Sequence, residues 1–147
     1  ANPMRFPPGQ LKYTMASVVE AARLELIGLR LRTPDGEFEF DSAFFAVGNT
    51  RFFGGGMAIC PDAVADDGQL AITVVGAASA AKLLAVMPSV FVGRHVRHPD
   101  VTTIAAPWVE IEIDSDEPLW ADGESFGQAP VRLEARPAAL SVAHPTS

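Results

Sequence analysis

From Leu24 onward the apolar residues fall on alternate positions: Leu29 and Leu31 alternate with Arg30 and Arg32, and Phe38 and Phe40 alternate with Glu37, Glu39 and Asp41. A period of two is the side-chain alternation of a half-buried strand. The intervening TPDG is turn chemistry, so this stretch predicts a β-hairpin with one apolar face. The run SAFFAVGN (42–49) predicts a separate buried strand ending at Gly48-Asn49, and the β-branched QLAITVV (69–75) another. Two stretches break this pattern. Leu11, Met15, Val18, Val19 and Ala22 recur at helical spacing and predict an amphipathic helix over 10–22. SAAKLLAVMPSVFVG (79–93) predicts a second, with Ser79 as its N-cap and Pro88 kinking or ending it. Beyond GRHVRHP (93–99), VTTIAA, WVEIEID, PLWAD, PVRLEA and ALSVAH read as successive strands separated by Pro, Gly or Asp. The pattern is mainly β: an antiparallel β-sandwich carrying two short α-helices.

Composition narrows the partners. A chain of 147 residues with 48% hydrophobic residues can bury the core of one domain. A formal charge of −7 argues against a nucleic-acid binder and against general electrostatic attraction to anionic membranes, so any membrane contact must be local. Cys60 is the single cysteine and cannot form an internal disulfide. It reads as a buried small hydrophobe, and the cytoplasm is the expected location. No charged-then-apolar start resembles a signal peptide, and the longest apolar run, 83–92, is too short to span a bilayer.

The familiar complete sites are missing: no Walker loop, dinucleotide GxGxxG, CxxC pair or G-x-S-x-G elbow occurs. What remains is local. Gly54, Gly55 and Gly56 permit positive φ and leave their N–H groups uncovered. That suits either a tight turn or bulge, or a loop that closely approaches a phosphate or another backbone. Asp66-Asp67-Gly68 leads into a strand, as a hairpin turn would, but it also offers the hard oxygen donors that Mg²⁺ and Ca²⁺ prefer. Asp122-Gly123-Glu124 is a hairpin signal of the same kind. Seven carboxylates (Glu110, Glu112, Asp114, Asp116, Glu117, Asp122 and Glu124) follow one another with no Lys or Arg between them. Such crowding can raise a carboxylate pKa toward that of a general base or collect a cation, although most of these acids are the wet face of a strand. Arg94, His95, Arg97 and His98 form a small basic island, read as a solvated loop or a contact for a phosphate-bearing partner.

In order and spacing, VGNTRFFGGGMAICPDAVADDGQLAITVV, GRHVRHP and WADGESFG together resemble the C-terminal domain of bacterial diacylglycerol kinase-like lipid kinases, the family that includes sphingosine and ceramide kinases. The resemblance runs from about Leu11 to the end, leaving residues 1–10 as an interdomain connection. It implies the diacylglycerol kinase and NAD kinase-like fold, in an enzyme whose N-terminal domain binds ATP through a GGDGT motif that this chain lacks. The chain would then be one domain of a longer protein, inactive alone. The resemblance makes Glu124 the catalytic base toward the hydroxyl of diacylglycerol or a similar lipid, with Mg²⁺ offsetting charge on ATP. It assigns a second, structural Mg²⁺ to the carboxylate of Asp67 and the main-chain carbonyls of Val64 and Gln69. It lays Gly54, Gly55 and Gly56 against the nucleotide domain and its phosphates. It further implies peripheral membrane contact and pairing into homodimers. The competing reading is a non-catalytic β-sandwich module in which DGE and DDG are turns and GGG is a bulge.

Overall fold

A computed structural model describes residues 26–141. The helix expected over 10–22 lies outside the described residues, as does 142–144 of the last expected strand; residues 139–141 of that strand are not extended. The elements are β1 (Ile27–Thr33), β2 (Gly36–Gly48), β3 (Leu70–Gly76), α1 (Ala80–Val90), a 3-10 turn (His95–Arg97), β4 (Val101–Ala106), β5 (Trp108–Ile113), β6 (Leu119–Ala121), β7 (Glu124–Gly127) and β8 (Val131–Glu134). Six strands form one sheet in the order β4-β3-β2-β1-β5-β8, while β6 and β7 form a separate two-stranded ribbon. Every pairing is antiparallel, so the mainly β expectation holds.

The alternation in β1, β3 and β5 builds the larger core. Leu29, Leu31, Leu70, Ile72, Val74, Val109 and Ile111 are buried together on one sheet face. Each fully buried aliphatic side chain contributes about 1.5–3 kcal/mol relative to exposure. Where two strands were expected in the stretch ending at Gly48, the structure has one of 13 residues. A bulge between Ser42 and Phe44 explains the difference. It shifts the side-chain phase by one, so that Phe38 and Phe40 before it and Phe45 and Val47 after it all pack against the same core. Ser42 Oγ secures the bulge by donating to the carbonyls of Phe44 (2.8 Å) and Val75 (3.2 Å).

The opposite phase of β2 and β3 is covered by a second layer. Met57, Ile59, Cys60, Ala63 and Met87 pack with Ala46 and Ala71. Helix α1 closes this layer, capped as expected by Ser79, whose Oγ accepts from Lys82 N at 3.3 Å. Pro88 sits inside the helix, which ends at Val90. The chain then reverses through Gly93 at φ +69°, where a Cβ would lie 2.7 Å from Pro61 Cβ. Glycine is required there for both conformation and space.

The carboxylates of β5 are not left crowded. Glu110 pairs with Arg32 and Arg132 at 3.1 Å each, and Glu112 with Arg30 at 3.3 Å. These arginines stand opposite their partners in register on β1 and β8. The hydrogen bond from Arg132, joined by one from Arg32, holds the Glu110 carboxyl below its ordinary pKa. At this position the neutralisation missing from the linear sequence comes from neighbouring strands.

Candidate functional site

Between α1 and the sheet face carrying Phe44, Thr73 and Val75 lies a cavity of about 430 Å³. Its wall is mostly apolar: Leu83, Val86 and Met87 come from one side of the helix, and Val90 from its end. The pattern that placed α1 as a helix also made these residues a stripe, because positions 83, 86, 87 and 90 fall on one face. Only part of that stripe reaches the second core layer; the rest faces the void. Lys82 and Asp100 meet at one edge, Nζ to Oδ2 3.2 Å, with His98 Nδ1 3.6 Å from the same oxygen.

The glycine run stands at this cavity. Phe53 and Met57 exchange backbone hydrogen bonds of 2.8 and 3.1 Å, making residues 54–56 the tip of a tight hairpin. Gly54 (φ +54°) and Gly56 (φ +92°) take conformations that disfavour a side chain. Gly54 and Gly55 also line the cavity, as does the half-exposed Phe53. The turn and the close-approach loop are thus one structure.

Val64, Asp67 and Gln69 share a second turn. Asp67 N donates to the Val64 carbonyl at 3.4 Å, and Asp67 Oδ1 accepts from Gln69 N at 2.8 Å. Gly68, at φ +71°, packs against Pro137, where an added Cβ would come within 2.9 Å of Cγ. Among the described residues no group of three or more His, Cys, Asp or Glu side chains converges for a metal. A cation here would draw on one carboxylate and main-chain oxygens, a donor set whose chemistry fits Mg²⁺, with water or other groups completing six-coordination.

Glu124 opens β7 immediately after Asp122 (φ +50°) and Gly123 (φ +85°), the two positive-φ positions of a type I′ hairpin turn. Its side chain is exposed, and no residue of its ribbon lines the cavity. The structure therefore joins the glycine tip to the cavity and gathers the three DDG-turn positions, while Glu124 stands on a separate ribbon.

The basic island divides. Arg94 and Arg97 are exposed, but His95 is only 4% exposed, with Nε2 3.1 Å from the Ile59 carbonyl oxygen. A solvated loop is thus the wrong description of His95. The turn of chain at Gly93 carries it inward, a tertiary effect that left no local signal. Burial lowers its pKa, outweighing the Ile59 hydrogen bond. Cys60 is buried as expected, its thiol pushed up chiefly by burial, and it donates to the Ala71 carbonyl at 3.4 Å.

The His95 shift predicts an acid sensitivity. With the folded pKa below the free value of about 6.5, the unfolded chain takes up the proton first as pH falls. The stability at stake is complete above about pH 6.5 and is lost as pH drops through that value toward the folded pKa. Urea midpoints should therefore fall between about pH 7 and 5, a window above that of the Glu110 carboxyl, and His95→Gln should flatten the fall. An identical decline in the variant would contradict the assignment.

Residues 1–144 match the family model of the YegS C-terminal NAD kinase beta sandwich-like domain. The chain belongs to this family. A Mycobacterium tuberculosis relative named Diacylglycerol kinase is 40% identical over 147 residues, covering 99% of this chain and 47% of the relative. A Xanthomonas oryzae pv. oryzae relative named Probable lipid kinase YegS-like is 33% identical over 133 residues, covering 90% of this chain and 43% of the relative. The chain thus spans about half the length of the curated relatives it matches. A crystal structure of a diacylglycerol kinase from Bacillus anthracis str. Sterne superposes with a TM-score of 0.59 at 18% identity, over 86% of this chain and 48% of that one, and shows the same fold. This YegS-type domain has no helix among the described residues long and apolar enough to cross a membrane.

Proposed function

We propose that this domain is the lipid-binding half of an ATP-dependent kinase that phosphorylates the hydroxyl of diacylglycerol or a similar lipid. The observation that carries the reading is the apolar cavity with the glycine tip at its wall, in a chain of this family. An acyl chain gains about 0.8 kcal/mol for each methylene it buries, so such a void favours lipid over a polar metabolite. The exposed backbone of Gly54 and Gly55 would then be open to a nucleotide phosphate held by the other half of the enzyme, while the Gly56 N–H, spent on the Gly54 carbonyl at 2.9 Å, would shape the tip without contacting it.

In this proposal Glu124 accepts the proton of the lipid hydroxyl as that oxygen attacks the γ-phosphorus of ATP. The bond from the γ-phosphorus to the bridging oxygen breaks, and ADP departs. Mg²⁺ supplies charge compensation on the phosphates. A second ion held by Asp67 and the carbonyls of Val64 and Gln69 would fasten the turn that precedes β3. The mouth of the cavity would meet a membrane surface locally.

The full-length protein, given radiolabelled ATP and a short-chain diacylglycerol, should produce labelled phosphatidate; the 147-residue chain alone should not. Absence of label from the full-length protein would leave the non-catalytic module as the better reading. For the turn, Mg²⁺ should raise the melting temperature of the parent chain and Asp67→Ala should lose that rise. A parent melting temperature indifferent to Mg²⁺ would remove the structural ion.

A further inference from the structure

Helix α1 is apolar on two opposite sides. Of its 11 residues, AAKLLAVMPSV, only Lys82 and Ser89 are polar. Leu83, Val86, Met87 and Val90 line the cavity. Ala81, Leu84, Ala85 and Pro88 are exposed instead, and Val92, just past the last turn, continues them. At about 100° per residue, these outer positions fall within about 100° of arc, centred opposite the cavity stripe. A helix apolar all round is ordinarily enclosed on every side, yet among the described residues nothing covers this outer face.

Charge decides which partner suits it. No Asp or Glu occurs from Gly68 to Pro99, although the chain carries a net charge of −7. The cations of this acid-free stretch are Lys82, Arg94 and Arg97. Lys82 is held by Asp100, whereas Arg94 and Arg97 are exposed and form no ion pair among the described residues. By contrast, Arg30, Arg32 and Arg132 are all spent on glutamates across the sheet. Arg94 N donates to the Ser89 carbonyl at 2.9 Å and Arg97 N to the Arg94 carbonyl at 3.1 Å, so both arginines follow directly on the end of the helix. A second copy of the chain would set this acid-free face against itself, with no carboxylate to meet either arginine. A bilayer with anionic head groups supplies both parts of the match: acyl chains for the outer face and negative charge for the guanidinium groups.

We propose that α1 lies in the plane of an anionic membrane surface, its outer face seated among the lipids and Arg94 and Arg97 on lipid phosphates. This rests on the cavity being the lipid site, which gives the domain its reason to meet a bilayer. One helix then separates the bilayer from the bound lipid, with an apolar face turned to each. The substrate need travel only around α1 to leave the membrane. Arginine suits the second role because its planar fork can hold two phosphate oxygens at once.

The test sediments the full chain with vesicles of phosphatidylcholine alone and of phosphatidylcholine and phosphatidylglycerol in equal parts. The anionic vesicles should bind it. Arg94→Ala and Arg97→Ala together should weaken that binding about 25-fold, about fivefold for each arginine. Leu84→Glu should weaken it about tenfold or more, through lost burial and an added negative charge. Cys60 is buried, so a cysteine introduced by Leu84→Cys can carry a nitroxide selectively. On addition of anionic vesicles that nitroxide should become shielded from an aqueous nickel quencher and open to oxygen, while one carried by Trp120→Cys stays aqueous. Failure to bind anionic vesicles, or equal binding by parent and variants, overturns the inference; if dioctanoylglycerol still contacts Val86, the lipid site stands. Shielding of the label at position 84 before vesicles are added, in the full-length protein or in a dimer of the chain, means that protein covers this face and also overturns it. Docking through α1 with no dioctanoylglycerol in the cavity supports the docking face and removes the lipid reading of the cavity.

Discussion

Exchange of Glu124 for glutamine is expected to lower the rate of lipid phosphorylation by about 10²–10⁴-fold, the usual contribution of a positioned general base. The amide keeps the shape of the side chain and its place after the Asp122-Gly123 turn but cannot take up the proton. Glu124 is exposed, so an effect through the fold should stay within about 0.5 kcal/mol of stability. The loss should appear in kcat at saturating lipid with little change in KM, because lipid binding is assigned to the cavity and not to this ribbon. Full activity in the variant would remove Glu124 from the chemistry and leave DGE as a hairpin turn.

Filling the cavity from α1 should do the reverse. Val86→Trp places an indole where the acyl chain is proposed to lie. Displacing even a couple of methylenes, at about 0.8 kcal/mol each, weakens binding about tenfold. The lipid KM should rise by that factor or more, while the KM for ATP stays unchanged. Ile72→Ala is the contrasting substitution. Ile72 is wholly buried in the larger core on the other sheet face, and its truncation should cost about 2–5 kcal/mol of stability without altering the lipid KM of the folded fraction. Equal effects of the two changes on lipid KM would mean that Val86 acts through folding and not through occupancy.

The features that could be read from the sequence depend on residues close together in the chain. TPDG closes β1 onto β2, Asp122-Gly123 forms the turn its composition demands, and Ser79 caps α1. Each rests on contacts within a few positions. The Glu110 ion pairs with Arg32 and Arg132 span 78 and 22 positions, so the acidic run looks unneutralised until the strands are laid side by side. The bulge at Ser42 kept β2 continuous by realigning its phase, which a search for strict alternation reads as a break. The cavity was illegible for a related reason. Its wall joins one face of α1 to one face of the sheet, and neither shows in sequence that the other stops short of it. His95 belongs by sequence to a polar loop, and such loops usually face water; the reversal at Gly93 turns this residue inward. The glycine tip and the DDG turn were visible as special backbone, but only their setting relates one to a cavity and leaves the other a compact turn beside Pro137.

Lipid in the space beneath α1 would be visible in intermolecular NOEs. With dioctanoylglycerol added to methyl-labelled chain, transfer is expected from acyl protons to the methyls of Leu83, Val86 and Met87 on the helix and Val75 on the facing strand. Contacts confined to exposed side chains such as Trp120 and Phe126, or no contacts at all, would contradict it.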